Sequence, residues 1–336
     1  MAKILISGYY GYDNFGDEVI LSVLTGHLKS RNHDITVLSN NPEKTSNTYG
    51  VNSVKNFELL KLISAISNCD VLISGGGSLL QDVTSLKSLL YYSFVIWLAQ
   101  KLGKKVIIFA QGIGPLRSNT AKRIVPSIIS KCSIVTVRDE KSLEYLNKQG
   151  INATLVSDPV FSVELPQNSS DGAVGIQLRA FKNVDDTFLT NLANRIVTEF
   201  GNKKIELFVL QESIDYPICQ NFQKILNKLA PYIETEIVHK ISQTDLIVRI
   251  SQLEYMIAMR FHAVLVAIKS GVKTLAINYD AKVAKLAYDA MLPFISISND
   301  EDWQLPFEQL RNINTNDLLK YCSTKHFEWS IFDEII

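Results

Sequence analysis

The segment YMIAMRFHAVLVAIKSG, residues 255–271, sets Arg260 and His262 two positions apart inside an almost wholly apolar passage. Withdrawing a guanidinium and an imidazole from water is costly unless a protein partner or a ligand meets them. The passage reads as a strand over 255–259 running into a helix. Arg260 then closes the strand, and His262 lies at the first helical turn, where the helix dipole adds partial positive charge. Such a pair suits an anion pocket containing a group that exchanges protons near neutrality. A solitary histidine at such a place is more often structural; the company it keeps decides the reading. Arg138, Arg179 and Lys282 also follow strand-like runs. Four cations converging on one cleft would hold a small polyanion carrying both carboxylate and phosphate. A lone Arg138 would more simply pair with Asp139 or Asp158, and Asp139 reads as a helix cap.

Glycine-rich turns make a second group. GYYGYDNFGDE, Gly8–Glu18, has glycines at 8, 11 and 16, so it is not G-x-G-x-x-G, and no P-loop lysine follows. It is either a tight strand-to-helix turn capped by Asp17 or a ligand loop. Tyr9, Tyr10 and Phe15 look exposed and would form a wall for a sugar ring. SGGGSLLQD, Ser74–Asp82, is stronger: Gly75, Gly76 and Gly77 leave bare backbone N–H groups, whereas close helix–strand packing usually needs one glycine. Asp82 would accept from sugar hydroxyls or sit in the first turn of a solvated helix. AQGIGP, Ala110–Pro115, adds a further glycine pair. The remaining histidines (27, 33, 239 and 326) have no comparable setting, and no His/Cys/carboxylate spacing suggests a metal.

These residues need strand ends to carry them. Strand-like runs occur at 3–7, 35–39, 70–74, 106–110 and 134–137, then at 173–177, 205–210, 235–239, 255–259 and 274–278, with helix-length amphipathic stretches between. Near-continuous apolar strands alternating with helices imply parallel sheets covered on both faces. Ligands of such sheets bind outside the carboxyl ends of the strands. The Pro/Asn/Ser-rich stretch 164–172 is the natural linker. The expected fold is α/β, two Rossmann-like domains facing one cleft: residues 1–165 with the glycine-rich turns and 166–336 on the anion side. The tail 300–336, with Trp303, Phe307, Phe327 and Trp329, is expected to be helical and able to pack back across the junction.

Composition sets the outer limits. The 336 residues are 46% hydrophobic, with 34 Lys and Arg against 34 Asp and Glu, so no global charge favours nucleic acid. The apolar run after Leu89 is shorter than a membrane span. Cys69, Cys132, Cys219 and Cys322 lie far apart and read as buried thiols in a reducing compartment. The expected localisation is cytoplasmic.

Taken in order, GYYGYDNFGDE, GGGSLLQD, RDEKS, SDPVF, MRFHA and YDAKV resemble the polysaccharide pyruvyl transferase family, in its bacterial CsaB-like branch, over residues 4–290. The family usually has MRLHA, so Phe261 departs from it beside intact Arg260 and His262. The resemblance implies a GT-B-like architecture. It also implies a transfer of the enolpyruvyl unit of phosphoenolpyruvate onto two hydroxyls of one sugar, forming a cyclic pyruvate ketal. Carried over, Arg138, Arg260 and His262 would hold the donor, with Lys282 added from YDAKV. His262 would be the general acid/base, and Arg260 would stabilise the departing charge. The acceptor would lie against the N-terminal loops, at Gly11, Asp13, Asn14, Gly75, Gly76, Gly77 and Asp82. This chemistry requires neither metal nor cofactor. The acceptor sugar and its attachment to a lipid stay open, as do a homodimer and a peripheral contact with the inner face of the plasma membrane.

Two other classes compete. A GT-B glycosyltransferase or nucleotide-sugar epimerase could use Asp280 on a ribose, although the sequence shows no second acidic residue beside the cationic cluster. A silent carbohydrate-binding subunit would have little use for His262 among cations.

Overall fold

The computed structural model describes all residues except 84, 166–169, 298–301 and 334. Two compact units emerge: residues 1–163 with 326–336, and residues 164–325. The division falls between 163 and 164, at the start of the Pro/Asn/Ser-rich stretch, of which 166–169 lie outside the described residues, and residues 326–336, expected with the second domain, cluster with the first.

The first unit holds strands β1 (Lys3–Ser7), β2 (Asp34–Ser39), β3 (Asn52–Lys55), β4 (Val71–Ser74), β5 (Lys105–Gln111), β6 (Ile134–Val137) and β7 (Thr154–Leu155). Its helices are α1 (Phe15–Ser30), α2 (Pro42–Tyr49), α3 (Leu59–Asn68), α4 (Leu86–Lys101), α5 (Asn119–Ile129) and α6 (Glu140–Lys148). The sheet is parallel with order β3-β2-β1-β4-β5-β6-β7. Its strand order reverses between β1 and β4.

The second unit holds β8 (Val174–Gln177), β9 (Ile205–Phe208), β10 (Thr235–Val238), β11 (Tyr255–Ala258), β12 (Lys273–Asn278) and β13 (Phe294–Ser296). Its helices are α7 (Asp186–Phe200), α8 (Glu212–Leu229), α9 (Gln243–Ser251), α10 (Phe261–Lys269), α11 (Ala281–Asp289), α12 (Gln304–Arg311) and α13 (Thr315–Ser323). This parallel sheet runs β10-β9-β8-β11-β12-β13 and reverses between β8 and β11.

The central strands read as continuous apolar runs because helices cover both of their faces: every residue of β4, β8, β9 and β11 is buried. Helix starts are set by short polar side chains. Asn14, Ser85, Ser118, Asp139, Asp185, Ser242 and Asp280 each accept a first-turn N–H. Helix α1 thus starts at Phe15 under Asn14; Asp17, expected as the cap, lies inside the first turn.

The aromatic tail divides. Trp303 and Phe307 join the core of the second unit, with Trp303 against Phe188. Phe327, Trp329 and Phe332 gather round Phe109 of β5, with ring centroids 5.1–5.8 Å away. Arg31 forms an ion pair with Asp333 there. Among the described residues no helix is long and apolar enough to cross a membrane.

Candidate functional site

In each parallel sheet the strand order reverses once, and loops diverging from that point leave a crevice beyond the carboxyl ends of the strands. In the second unit the crevice lies past β8 and β11, and these strands end in Gln177-Leu178-Arg179 and Met259-Arg260-Phe261-His262. Gln177 ties the two ends together. Its Oε1 accepts the Arg260 N–H at 2.8 Å, and its Nε2 donates to the Leu178 carbonyl.

The side chain of Arg260 is held rigidly. Nε donates to Asp215 Oδ2 at 2.8 Å, and Nη2 donates to Asp215 Oδ1 at 2.7 Å and to Gln211 Oε1 at 3.0 Å. Asp215 is fully buried and also accepts the N–H groups of Leu210 and Gln211 at 3.0 Å. This corrects the expectation that no second acidic residue, besides Asp280, stands beside the cationic cluster. Arg260 is a neutralised, oriented hydrogen-bond fork rather than an open charge. His262 is half-buried in the first turn of α10, with its Nε2 buried and its ring edge-on to Phe261. Arg260, at the N-cap of α10, gives no side-chain cap.

Arg179 reaches this group from the end of β8. Its N–H donates to Met259 Sδ, and its guanidinium lies over Tyr279, with Nη1 3.5 Å from the hydroxyl. Burial raises the phenol pKa of Tyr279, and Asp280 adds to the shift, while Arg179 and Arg260 oppose it. Arg179 and Tyr279 are thus in contact, and Arg179 is tied to Met259, the residue before Arg260. Lys282, half-buried in the first turn of α11, donates its N–H to Asp280. Gln177, Gln211, Asp215 and Tyr279 follow or end β8, β9 and β12. The pairing of the first three with Arg260, and of Tyr279 with Arg179, depends on which strands are neighbours, which the sequence does not display.

In the first unit, Arg138 leaves β6 and pairs with Asp158 at 2.5 Å, both side chains nearly buried. The simpler alternative for a lone arginine is thus what the structure contains. Asp139 caps α6, as expected.

The crevice past β1 and β4 is built differently from the sequence reading. Tyr10 and Phe15 are buried and form no exposed wall; Tyr9 instead stacks on Tyr12 at 4.2 Å, and both are half-buried. The glycines serve the protein interior. A Cβ on Gly75 would lie 2.0 Å from the Tyr10 hydroxyl, and one on Gly76 would lie 2.9 Å from Ile20. One on Gly77, where φ is +96°, would lie 2.6 Å from Asp17. Gly75 is not bare either, since its N–H donates to Ser7. Gly11, at φ +75°, donates its N–H to Glu18 Oε1 at 2.7 Å, and Tyr49 donates to Oε2 at 2.6 Å. Burial raises the pKa of Glu18, and these two donors offset part of the shift.

Asn14 is spent as the cap of α1, and Asp13 pairs with Lys44 at the surface. Asp82 is neither a first-turn helical residue nor an open carboxylate. It accepts the N–H groups of Arg117 and Ser118 at 2.7 Å, and these bonds hold its pKa down to about 2.

Residues 14–281 match the polysaccharide pyruvyl transferase family. The chain belongs to that family. The matched span contains Arg138, Arg260 and His262, while Gly11, Asp13 and Lys282 fall just outside it. No curated protein matches the chain by sequence. Solved structures do resemble it. Staphylococcus aureus MnaA with UDP has a TM-score of 0.68 at 9% identity, covering 100% of this chain and 95% of that one. Anabaena HepE with UDP and glucose gives 0.63 at 9%, covering 100% and 98%. The UDP-GlcNAc 2-epimerase of Methanocaldococcus jannaschii gives 0.60 at 13%, covering 97% and 94%. At these identities the likeness shows the fold alone: this pyruvyl transferase family member has two Rossmann-like domains of the GT-B-like class.

Proposed function

We propose that the chain transfers the enolpyruvyl unit of phosphoenolpyruvate onto two hydroxyls of one sugar of a cell-wall or exopolysaccharide, closing a cyclic pyruvate ketal and releasing phosphate. The observation that carries this reading is the Arg260–His262 pair at the β8/β11 reversal, within the family span. A proton is added to the methylene carbon of phosphoenolpyruvate, and positive charge develops at C2. One sugar hydroxyl adds to C2 and loses its proton. The C2–O bond to phosphate then breaks, and the second hydroxyl closes the ring as its proton leaves. The two hydroxyl protons thus balance the new methyl hydrogen and the protonated phosphate. His262 is the group assigned to proton transfer.

Because Asp215 balances Arg260, the guanidinium acts by direction, as a preorganised donor. Arg179 and the N-terminal turn of α10 supply positive field, and Lys282 is assigned to the donor from the first turn of α11. Arg138, offset by Asp158, is assigned to the donor with less weight than the resemblance gave it. On the acceptor side the stacked Tyr9–Tyr12 pair and Asp13 are assigned to the sugar. Gly11, Asn14, Gly75, Gly76, Gly77 and Asp82 are assigned to shaping the loops that carry them.

A nucleotide-sugar reaction is the second reading, supported by the UDP named with two of the structural neighbours. Against it, Oδ1 of Asp280, the residue suited to a ribose, is engaged by the N–H groups of Lys282 and Val283. Thermal-shift titration separates the two. Stabilisation by phosphoenolpyruvate but not by UDP- or GDP-sugars supports the pyruvyl reading, and the reverse overturns it.

A further inference from the structure

Charge is distributed unevenly along this electroneutral chain. Residues 83–137 contain eight of the 34 Lys and Arg and none of the 34 Asp and Glu. This segment builds α4, β5 and α5, and α4 packs beside both α3 and α5 on one side of the first sheet. The buried side of α4 carries Leu89, Tyr92, Val95, Ile96 and Ala99. Its outer side is apolar as well: Leu86, Leu90, Phe94 and Trp97 are exposed at helical spacing, with Trp97 44% accessible. Exposed Lys87 and Lys101 stand at the two ends of that ridge. Exposed Leu59, Leu60 and Ile63 on neighbouring α3 widen the apolar surface, and exposed Lys122 and Arg123 on α5 extend the basic one.

We propose that this α4 face docks on a lipid bilayer bearing anionic headgroups, with Leu90, Phe94 and Trp97 entering the interface and the lysines contacting the headgroups. A helix with leucine and aromatic residues on one face and lysines around it matches interfacial binding. A contiguous exposed apolar ridge rimmed by polar residues marks a membrane or protein interaction site. A second copy meeting the same face would set two acid-free basic segments against each other, which electrostatics opposes. The inference rests on the surface alone and holds whatever reaction the chain performs.

The test is co-sedimentation of the full chain with vesicles of phosphatidylcholine alone or with about one-third phosphatidylglycerol, read together with tryptophan emission. Trp97 is the most accessible of the three tryptophans, so insertion should shift emission to the blue. Binding is expected with phosphatidylglycerol and far less without it. Phe94→Ser/Trp97→Ser should weaken it about tenfold or more, and Lys87→Gln/Lys101→Gln by a similar factor with a flatter salt dependence. All four positions are exposed, and circular dichroism checks that each variant is folded. The proposal is overturned by no binding to either vesicle or by equal binding to both. It is also overturned by variants that bind like the parent, or by a dimer that Phe94→Ser/Trp97→Ser dissociates in place of vesicle binding.

Discussion

Arg260 meets Asp215 at two points, Nε to Oδ2 at 2.8 Å and Nη2 to Oδ1 at 2.7 Å, with the carboxylate fully buried. Two backbone N–H groups and the Gln177 amide complete the acceptor set of Asp215. The guanidinium is therefore fixed before any ligand arrives, which is the condition for a donor to stabilise developing charge without reorganising. Asp215→Ala would leave Arg260 buried without its counter-charge. It should cost about 3–5 kcal/mol of stability in urea unfolding. Loss of less than about 1 kcal/mol would mean that water reaches the pair and that it is not rigid.

His262→Gln separates chemistry from architecture. Turnover of phosphoenolpyruvate should fall about 10²–10⁴-fold, with the melting temperature and donor KM little changed. Near-parental kcat would move proton transfer to another group.

Tyr10 and Gly75 should behave as one packing unit. The Tyr10 hydroxyl is buried, has no hydrogen-bond partner among the described residues, and lies 2.0 Å from where a Gly75 side chain would start. Gly75→Ala should therefore destabilise by roughly 1–3 kcal/mol. Tyr10→Phe should be neutral or stabilising, because it removes an unsatisfied polar atom. Combining them should recover much of the loss, since the next ring atom is 3.1 Å away. Additive effects in this double-mutant cycle would contradict the packing.

Asp82 gives a pH signature. Its folded-state pKa is depressed to about 2 by the N–H groups of Arg117 and Ser118. A depressed carboxylate stabilises the fold above its ordinary pKa near about 4, and that contribution disappears as pH falls through about 2. The stability gap between the parent and Asp82→Asn should close over that window. Carboxyl-carbon NMR giving a pKa near about 4 would show that the two bonds are absent in solution.

The core of this fold was legible from sequence because strands covered on both faces must be apolar throughout. The ten expected strands are all present, and KILIS and IVTV match β1 and β6 end to end. The three strands outside that pattern are β3, β7 and β13, which lie at sheet edges. There one side faces solvent, and NSVK or TL carries no apolar signal. Of the candidate site, Arg260 and His262 were legible because polarity inside an apolar run demands an explanation. The glycines are ambiguous. A strand-end glycine looks the same whether it makes room for a ligand or for a buried side chain such as Tyr10 or Ile20. Asp215 was hidden because its bond to Arg260 spans 45 residues and exists only once β8 and β11 lie side by side.

The central claim is tested most directly by NMR of product formed from phosphoenolpyruvate and a panel of glycosides, with phosphate release followed in parallel. The account predicts a new methyl group on a ketal carbon bridging two oxygens of one sugar, formed in step with one phosphate per product and abolished in His262→Gln. Turnover of a UDP-sugar by the folded chain, with phosphoenolpyruvate unchanged beside every glycoside, would contradict it.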